Sequence, residues 1–407
     1  MAEKKFSKVA AGPHSDPDIF KRQTALYERE GDIRSPFARD YTRILHSSAY
    51  RRLKHKTQVF FNAENDHVCT RIEHVAHVES VAYTMAVNLG LNEELTKAIA
   101  FGHDLGHAPF GHYGEKVLSA LSLKYAGQSF WHERQGLRIV DKLDLLEDND
   151  GIMRNLDLTY AVRDGIISHC GEVDENALRP RGECIDLEDI QFVGQYAPFT
   201  WEGCVVKLAD KVAYLGRDVE DAVNLGFLDE GKLAELKRLF TGGGDAVNTT
   251  VIMHDIIVDV CRHSSPEEGI VISPEYYKKL SAVKAFNYEN IYTNARFSAF
   301  QKYASLIIET LFEGLYSLWR DGQTFGELER YAKIYPELGS AFITWLLKYC
   351  DADVLPVGRR VDMARYKNVK PYGRLENKGT YALAITDFIA GMTDAYAIRL
   401  FGEQLRF

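Results

Sequence analysis

Along most of the chain, apolar residues return every three or four positions with polar residues between them, the period of a helix with one buried face. Val75, Val78, Ala82, Met85, Ala86 and Leu89 form one such face, and Gly90 follows as a stop signal. Asn92 is placed to cap the next helix, Glu93 and Glu94 suit its positive end, and Leu95, Ala98, Ile99 and Gly102 make its inward stripe. That helix carries His103 and Asp104 at its end. Similar periodicity predicts helices over Phe130 to Leu145, Cys204 to Val223, Gly231 to Phe240, Asn290 to Phe312 and Tyr381 to Leu405. Alternating runs of strand type are few, so the pattern predicts an all-α fold.

Breaks fall at Gly12-Pro13, Arg34-Ser35-Pro36, the polar stretch Glu172 to Asp189, Gly242-Gly243-Gly244 and Pro356-Val357-Gly358. The glycine triplet reads as a surface turn, since no Lys-Ser or Lys-Thr follows it, and this argues against a P-loop ATPase. We divide the chain into an N-terminal segment (1–39), a helical core (40–230) and a C-terminal helical portion (231–407) packed on that core.

Hydrophobic runs such as 343–347 are far shorter than the roughly 18 apolar residues a membrane span needs, and Lys348 closes this one, so no membrane association is expected. The six cysteines form no CxxC pair and follow no signal peptide, which predicts free thiols and a cytoplasmic protein. A formal charge of -9 means that an anionic ligand must be drawn in by a local basic pocket.

The densest group of metal-type side chains is the run His103-Asp104-Leu105-Gly106-His107-Ala108-Pro109-Phe110-Gly111-His112-Tyr113-Gly114-Glu115, with three of the thirteen histidines in ten residues. Adjacent residues on a helix point about 100° apart, so His103 and Asp104 share an ion only where ligands arrive from other helices. His74 on the preceding helix is one source, and Asp210, an acid within the apolar helix 204–211, is another. His77, one turn from His74, reads as a core histidine beside these ligands. His254-Asp255 repeats the letters without the His/Gly-rich surround and reads as a surface pair.

With these residues in place, the chain resembles the HD-domain deoxynucleoside triphosphate (dNTP) triphosphohydrolases, which include bacterial dGTP triphosphohydrolases and the vertebrate dNTPase that carries a sterile-alpha-motif domain. The resemblance runs from Arg39-Asp40-Tyr41-Thr42-Arg43 through Tyr50-Arg51-Arg52-Leu53, Lys56-Thr57-Gln58-Val59-Phe60 and Thr70-Arg71 to the His103 to Glu115 run. It continues in Phe130-Trp131-His132-Glu133, Asp210-Lys211 with Tyr214 and Arg217-Asp218, and Asp387 with Gly391-Met392-Thr393-Asp394. It departs at Glu73 and His77, where bacterial members often carry Thr and Glu.

The resemblance implies an HD-domain helical fold with a C-terminal helical extension, and a divalent metal ion held by His74, His103, Asp104 and Asp210. Two imidazoles and two carboxylates suit Mn, Fe, Co, Ni or Zn, while Mg can enter with the nucleotide phosphates. The ion would polarise a phosphoryl oxygen and acidify a water for attack at the α-phosphorus, giving deoxynucleoside and tripolyphosphate. His132 with Glu133 resembles the family's acid/base pair, and His112 with Glu115 is a second dyad. His107 faces the ion or its anionic ligand. Arg71 and Lys211 are the local cations for phosphate, Tyr214 and Asp218 resemble the sugar-contacting pair, and Gln58 matches a position near sugar and base.

The family assembles into homo-oligomers with nucleotide effector sites between subunits, so a homo-oligomer with dNTP effectors is expected. The basic run Arg51 to Lys56 reads as a solvated helix face more than as a surface for single-stranded nucleic acid, because no exposed aromatics interleave it. Two other readings stand beside the triphosphohydrolase. One is an HD nucleotide monophosphatase or phosphodiesterase, and the other is a nucleotide sensor or single-strand-binding assembly without turnover.

Overall fold

The helix signals are realised by matched caps. The Ala38 amide donates to Ser35 Oγ and Pro36 fills the first position, so the break at 34–36 is the start of a helix. The Leu95 amide donates to Asn92 Oδ1 at 3.0 Å, as expected, and Gly90 ends the preceding helix at φ 88°. Glu73 closes a capping box: the Thr70 amide donates to its carboxylate at 2.7 Å. The structure, a computed structural model, describes residues 4–24, 31–61, 67–171, 177–241, 249–360 and 363–406.

Among these, the first helices are α1 (Pro36–His46), α2 (Ser48–Arg52), α3 (Arg71–Leu89), α4 (Glu93–Gly102), α5 (Gly111–Ala126), α6 (His132–Arg138), α7 (Tyr160–Ser168) and α8 (Trp201–Asn224). They are followed by α9 (Glu230–Thr241), α10 (Thr249–His263), α11 (Pro274–Asn287), α12 (Phe297–Tyr316), α13 (Thr324–Ile334), α14 (Pro336–Tyr349), α15 (Lys378–Ala390) and α16 (Asp394–Gln404). Among the described residues, only two short antiparallel strand pairs accompany them: β1 (Leu145–Glu147) with β2 (Met153–Asn155), and β3 (Ala177–Leu178) with β4 (Ile270–Val271). The fold is all-α. No helix among the described residues is long and apolar enough to cross a membrane.

Three predicted helices are interrupted. The one over Phe130 to Leu145 begins at His132 and widens after Arg138 into a π turn, where the Asp144 amide donates to the Ile139 carbonyl at 2.8 Å. The one over Asn290 to Phe312 is a π turn at Tyr288–Tyr292, then a bend, then α12. The one over Tyr381 to Leu405 splits into α15 and α16, because Thr393 caps a new helix by accepting from the Tyr396 amide. The polar break beginning at Glu172 contains β3, and the Gly242–Gly244 triplet lies outside the described residues.

α3 and α4 pack on each other and on α8, α7 packs on α4, α6 and α8, and α5 is covered by α12 and α15. Glu202 ties three segments together, accepting from the Ala11 amide at 2.9 Å and the Asn92 amide at 2.8 Å. The turn after α4 approaches α6 so closely that a Cβ on Gly106 would sit 1.8 Å from the His132 carbonyl oxygen and 2.3 Å from the Gly136 nitrogen. This contact fixes where His132 stands relative to His103 and Asp104.

Gly106→Ala is therefore expected to destabilise the fold by at least ~2 kcal/mol, because backbone on both sides must move. Gly326→Ala in α13, where the added Cβ meets nothing within 4 Å, should be neutral or stabilising by up to ~1 kcal/mol. Urea unfolding of both variants checks the pair.

Candidate metal centre and catalytic cavity

The four expected ligands come from three helices. His74 lies in the first turn of α3, His103 and Asp104 follow the last residue of α4, and Asp210 is midway along α8. His74 Nε2 is 3.0 Å from Asp210 Oδ1 and 3.8 Å from Asp104 Oδ2, and His103 Nε2 is 3.6 Å from Asp104 Oδ1 and 3.8 Å from Asp210 Oδ1. Donors bound about 2.0–2.2 Å from one ion lie roughly 3–3.6 Å apart, so the set fits a transition-metal ion with small adjustments. His103 Nδ1 faces the Ala100 carbonyl at 2.6 Å, and its Nε2 is buried without a partner, as a ligand atom awaiting an ion would be.

The charge states suit an ion as well. Burial alone would raise Asp104, but His107, His103 and Arg71 outweigh it and hold the carboxyl well below the usual range. Asp210 is also lowered, burial being overcome by the His74 hydrogen bond and the charge of His103. Arg71, expected to face phosphate, is engaged here: it donates to Asp104 Oδ2 at 3.0 Å and to the Thr57 carbonyl at 3.1 Å.

The two expected acid/base dyads merge into one group around His132. Its Nδ1 lies 3.2 Å from each Glu115 oxygen and 3.4 Å from Glu133 Oε2. Burial lowers His132, but Glu133 and Glu115 outweigh it and raise the imidazole well above its ordinary value. His112 is 69% exposed and 3.4 Å from Glu115, at the rim. His107 Nε2 is 2.9 Å from Asp104 Oδ1 and its ring stacks on His132 with centroids 3.9 Å apart. Burial first, then Arg71 and His132, push His107 well below its ordinary value.

All of these residues except His103 line one cavity of about 680 Å³, together with Gln58, Lys211, Tyr214 and Asp218. Asp218 keeps Oδ1 buried and unpartnered while Tyr292 Oη donates to Oδ2, and burial raises its carboxyl to about 7. Among the lining residues that the sequence reading does not single out, four carry chemistry close to the reacting groups. Lys207 and Tyr292 carry no local signal; His169 and Cys170 stand together after α7, a pair that a search for metal-type neighbours would have raised. His77 is half-buried on α3, and His254 is exposed. The basic run needs one correction. Arg51, Lys54 and His55 are exposed, but Lys56 is buried and its Nζ donates to the Ala390 carbonyl at 2.8 Å and to the His107 carbonyl.

The HD domain family matches residues 71–215, the span from α3 to α8 that carries all four expected ligands. A deoxyguanosinetriphosphate triphosphohydrolase-like protein of Caldanaerobacter subterraneus is 33% identical over 96% of this chain and 91% of its own length. One from Clostridium perfringens is 32% identical over 98% and 94%, and one from Desulfatibacillum aliphaticivorans is 38% identical over 69% and 73%. The chain belongs to the deoxyguanosinetriphosphate triphosphohydrolase-like family of HD-domain hydrolases. Its site carries His/Asp clusters able to hold a metal ion.

Replacing a ligand should cost more than the ~10–100-fold in affinity that follows loss of a ligand's supporting hydrogen bond. Asp210→Ala is expected to weaken metal binding by more than ~100-fold, while His77→Ala retains it. Elemental analysis after dialysis against a weak chelator reads both.

Proposed function

We propose that the protein hydrolyses deoxynucleoside triphosphates at the α-phosphorus, releasing a deoxynucleoside and tripolyphosphate. One observation carries the reading: acid/base, cationic and sugar-type residues open, with the metal-ligand cluster, into a single cavity of about 680 Å³, large enough for a whole nucleotide. The names of the relatives, deoxyguanosinetriphosphate triphosphohydrolase-like proteins, support the same substrate class.

A divalent ion of the Mn, Fe, Co, Ni or Zn type at His74, His103, Asp104 and Asp210 supplies Lewis acidity at a phosphoryl oxygen and acidifies a water. His132 holds a proton against its two carboxylates and delivers it from Nε2 to the leaving 5′ oxygen. Glu115 and Glu133 keep that imidazole charged and fix its ring. Lys207 and Lys211 stand beside the cavity as cations for the phosphates, with Mg able to accompany them, and Arg71 balances Asp104. Asp218 Oδ1 is free to bond the 3′ hydroxyl, with Tyr214 one turn earlier on α8 crowding the 2′ position. The reading includes dNTPs as effectors and a homo-oligomer, which is why mixtures belong in the assay.

With Mn(II), and each dNTP tested alone and all four together, deoxynucleoside and tripolyphosphate are expected from dGTP or from several dNTPs, alone or in the mixture, and Asp104→Ala should abolish both products. Orthophosphate or pyrophosphate as the only phosphorus product, or no product under any mixture, would overturn the reading. His132→Ala should lower kcat by ~10²–10⁴ with the metal content unchanged.

A further inference from the structure

We propose that His132, His169 and Cys170 form a second metal site, selective for a thiophilic ion such as Zn²⁺, and that filling it withdraws His132 from proton transfer. Ligand atoms of His132, His169 and Cys170 lie within 4.8 Å of one another, and His169 also stands beside His103 and Asp104, so the site adjoins the expected metal centre and brings two residues, His132 and Cys170, that are not among its four expected ligands. Cys170 Sγ is 3.5 Å from His132 Nε2. An ion about 2.3 Å from sulfur and about 2.0–2.1 Å from nitrogen in tetrahedral geometry sets those atoms roughly 3.6 Å apart.

Both imidazoles are oriented as zinc ligands are. His169 Nδ1 faces the Ile166 carbonyl at 2.7 Å, which leaves Nε2 buried without a partner. His132 Nδ1 faces Glu115, a carboxylate–histidine arrangement that strengthens Nε2 as a donor. His169 is held neutral, burial first and then His103 and His132 lowering it to about 3. Cys170 is half-buried and lines the cavity, so an ion entering with the substrate path reaches it. The thiol is protonated in its buried setting; on binding, a sulfur–metal bond replaces the S–H bond, and the protons of Cys170 and His132 pass to solvent. One thiolate and two imidazoles favour a softer ion than two carboxylates and two imidazoles do, so the neighbouring sites differ in preference.

Full-length protein holding one equivalent of Mn²⁺ is titrated with Co²⁺, and the thiolate-to-cobalt charge-transfer absorption in the near ultraviolet is followed. The absorption is expected in the unaltered protein and absent in Cys170→Ser, and His169→Ala should need at least ~10-fold more Co²⁺ to develop it. Zn²⁺ should erase the absorption and inhibit Mn-supported turnover, and Cys170→Ser should need at least ~10-fold more Zn²⁺ for the same inhibition. No charge-transfer absorption, or absorption undiminished in Cys170→Ser, overturns the site; Zn²⁺ inhibition unchanged in Cys170→Ser overturns its effect on His132. The effect rests on the proton-transfer role given to His132, whereas the absorption does not: a signal in a protein that hydrolyses no dNTP keeps the site and rejects the catalytic reading.

Discussion

Asp104 and Asp210 place oxygens within 3.8 Å of the same two imidazole nitrogens, inside a helical core where an uncompensated carboxylate costs several kcal/mol. Arg71 supplies one positive charge against the two. A divalent ion at the shared point would offset the rest, and the three helices bring the four side chains close enough to hold one.

The elements outside α3, α4 and α8 serve that convergence by holding loops still. Asp394, at the start of α16, accepts from the Phe110 amide at 2.8 Å and the Thr57 amide at 3.0 Å, clamping the turn that leads into α5. Phe110 takes a left-handed conformation there, φ 65°, and such strain persists only where its surroundings hold it. Asp387 on α15 accepts from Gln135 at 3.1 Å and from Arg138 at 2.8 Å, anchoring the helix that begins with His132. The C-terminal helices thus act on the chemistry through buried carboxylates, without lining the metal cluster themselves.

How much of this was legible in the chain depends on the range of each signal. His103, Asp104 and the histidines after them stand close together, and Asp210 stands out as an acid in an apolar helix, so local reading reached them. His169 and Cys170 did not stand out, because their partners lie on α6 and in the turn after α4, and only folding brings them within reach. The split between α15 and α16 was hidden because Gly391, Met392 and Thr393 keep a helical spacing of apolar residues on either side. The pull that breaks the helix there is tertiary: Asp394 turns inward to bond Phe110 and Thr57. Lys56 was similarly misjudged as part of a solvated face, since its carbonyl partners His107 and Ala390 are distant in sequence. The merging of the two dyads at His132 is also a spatial fact, since Glu115 belongs to α5 and His132 to α6.

The most direct test of the convergence is a crystal structure of the Mn²⁺-loaded protein with anomalous scattering recorded for manganese. The account predicts one strong peak within bonding distance of His74 Nε2, His103 Nε2 and one oxygen each of Asp104 and Asp210, with Arg71 still beside Asp104. A peak lying instead among His132, His169 and Cys170, or no peak inside the cavity, would contradict it.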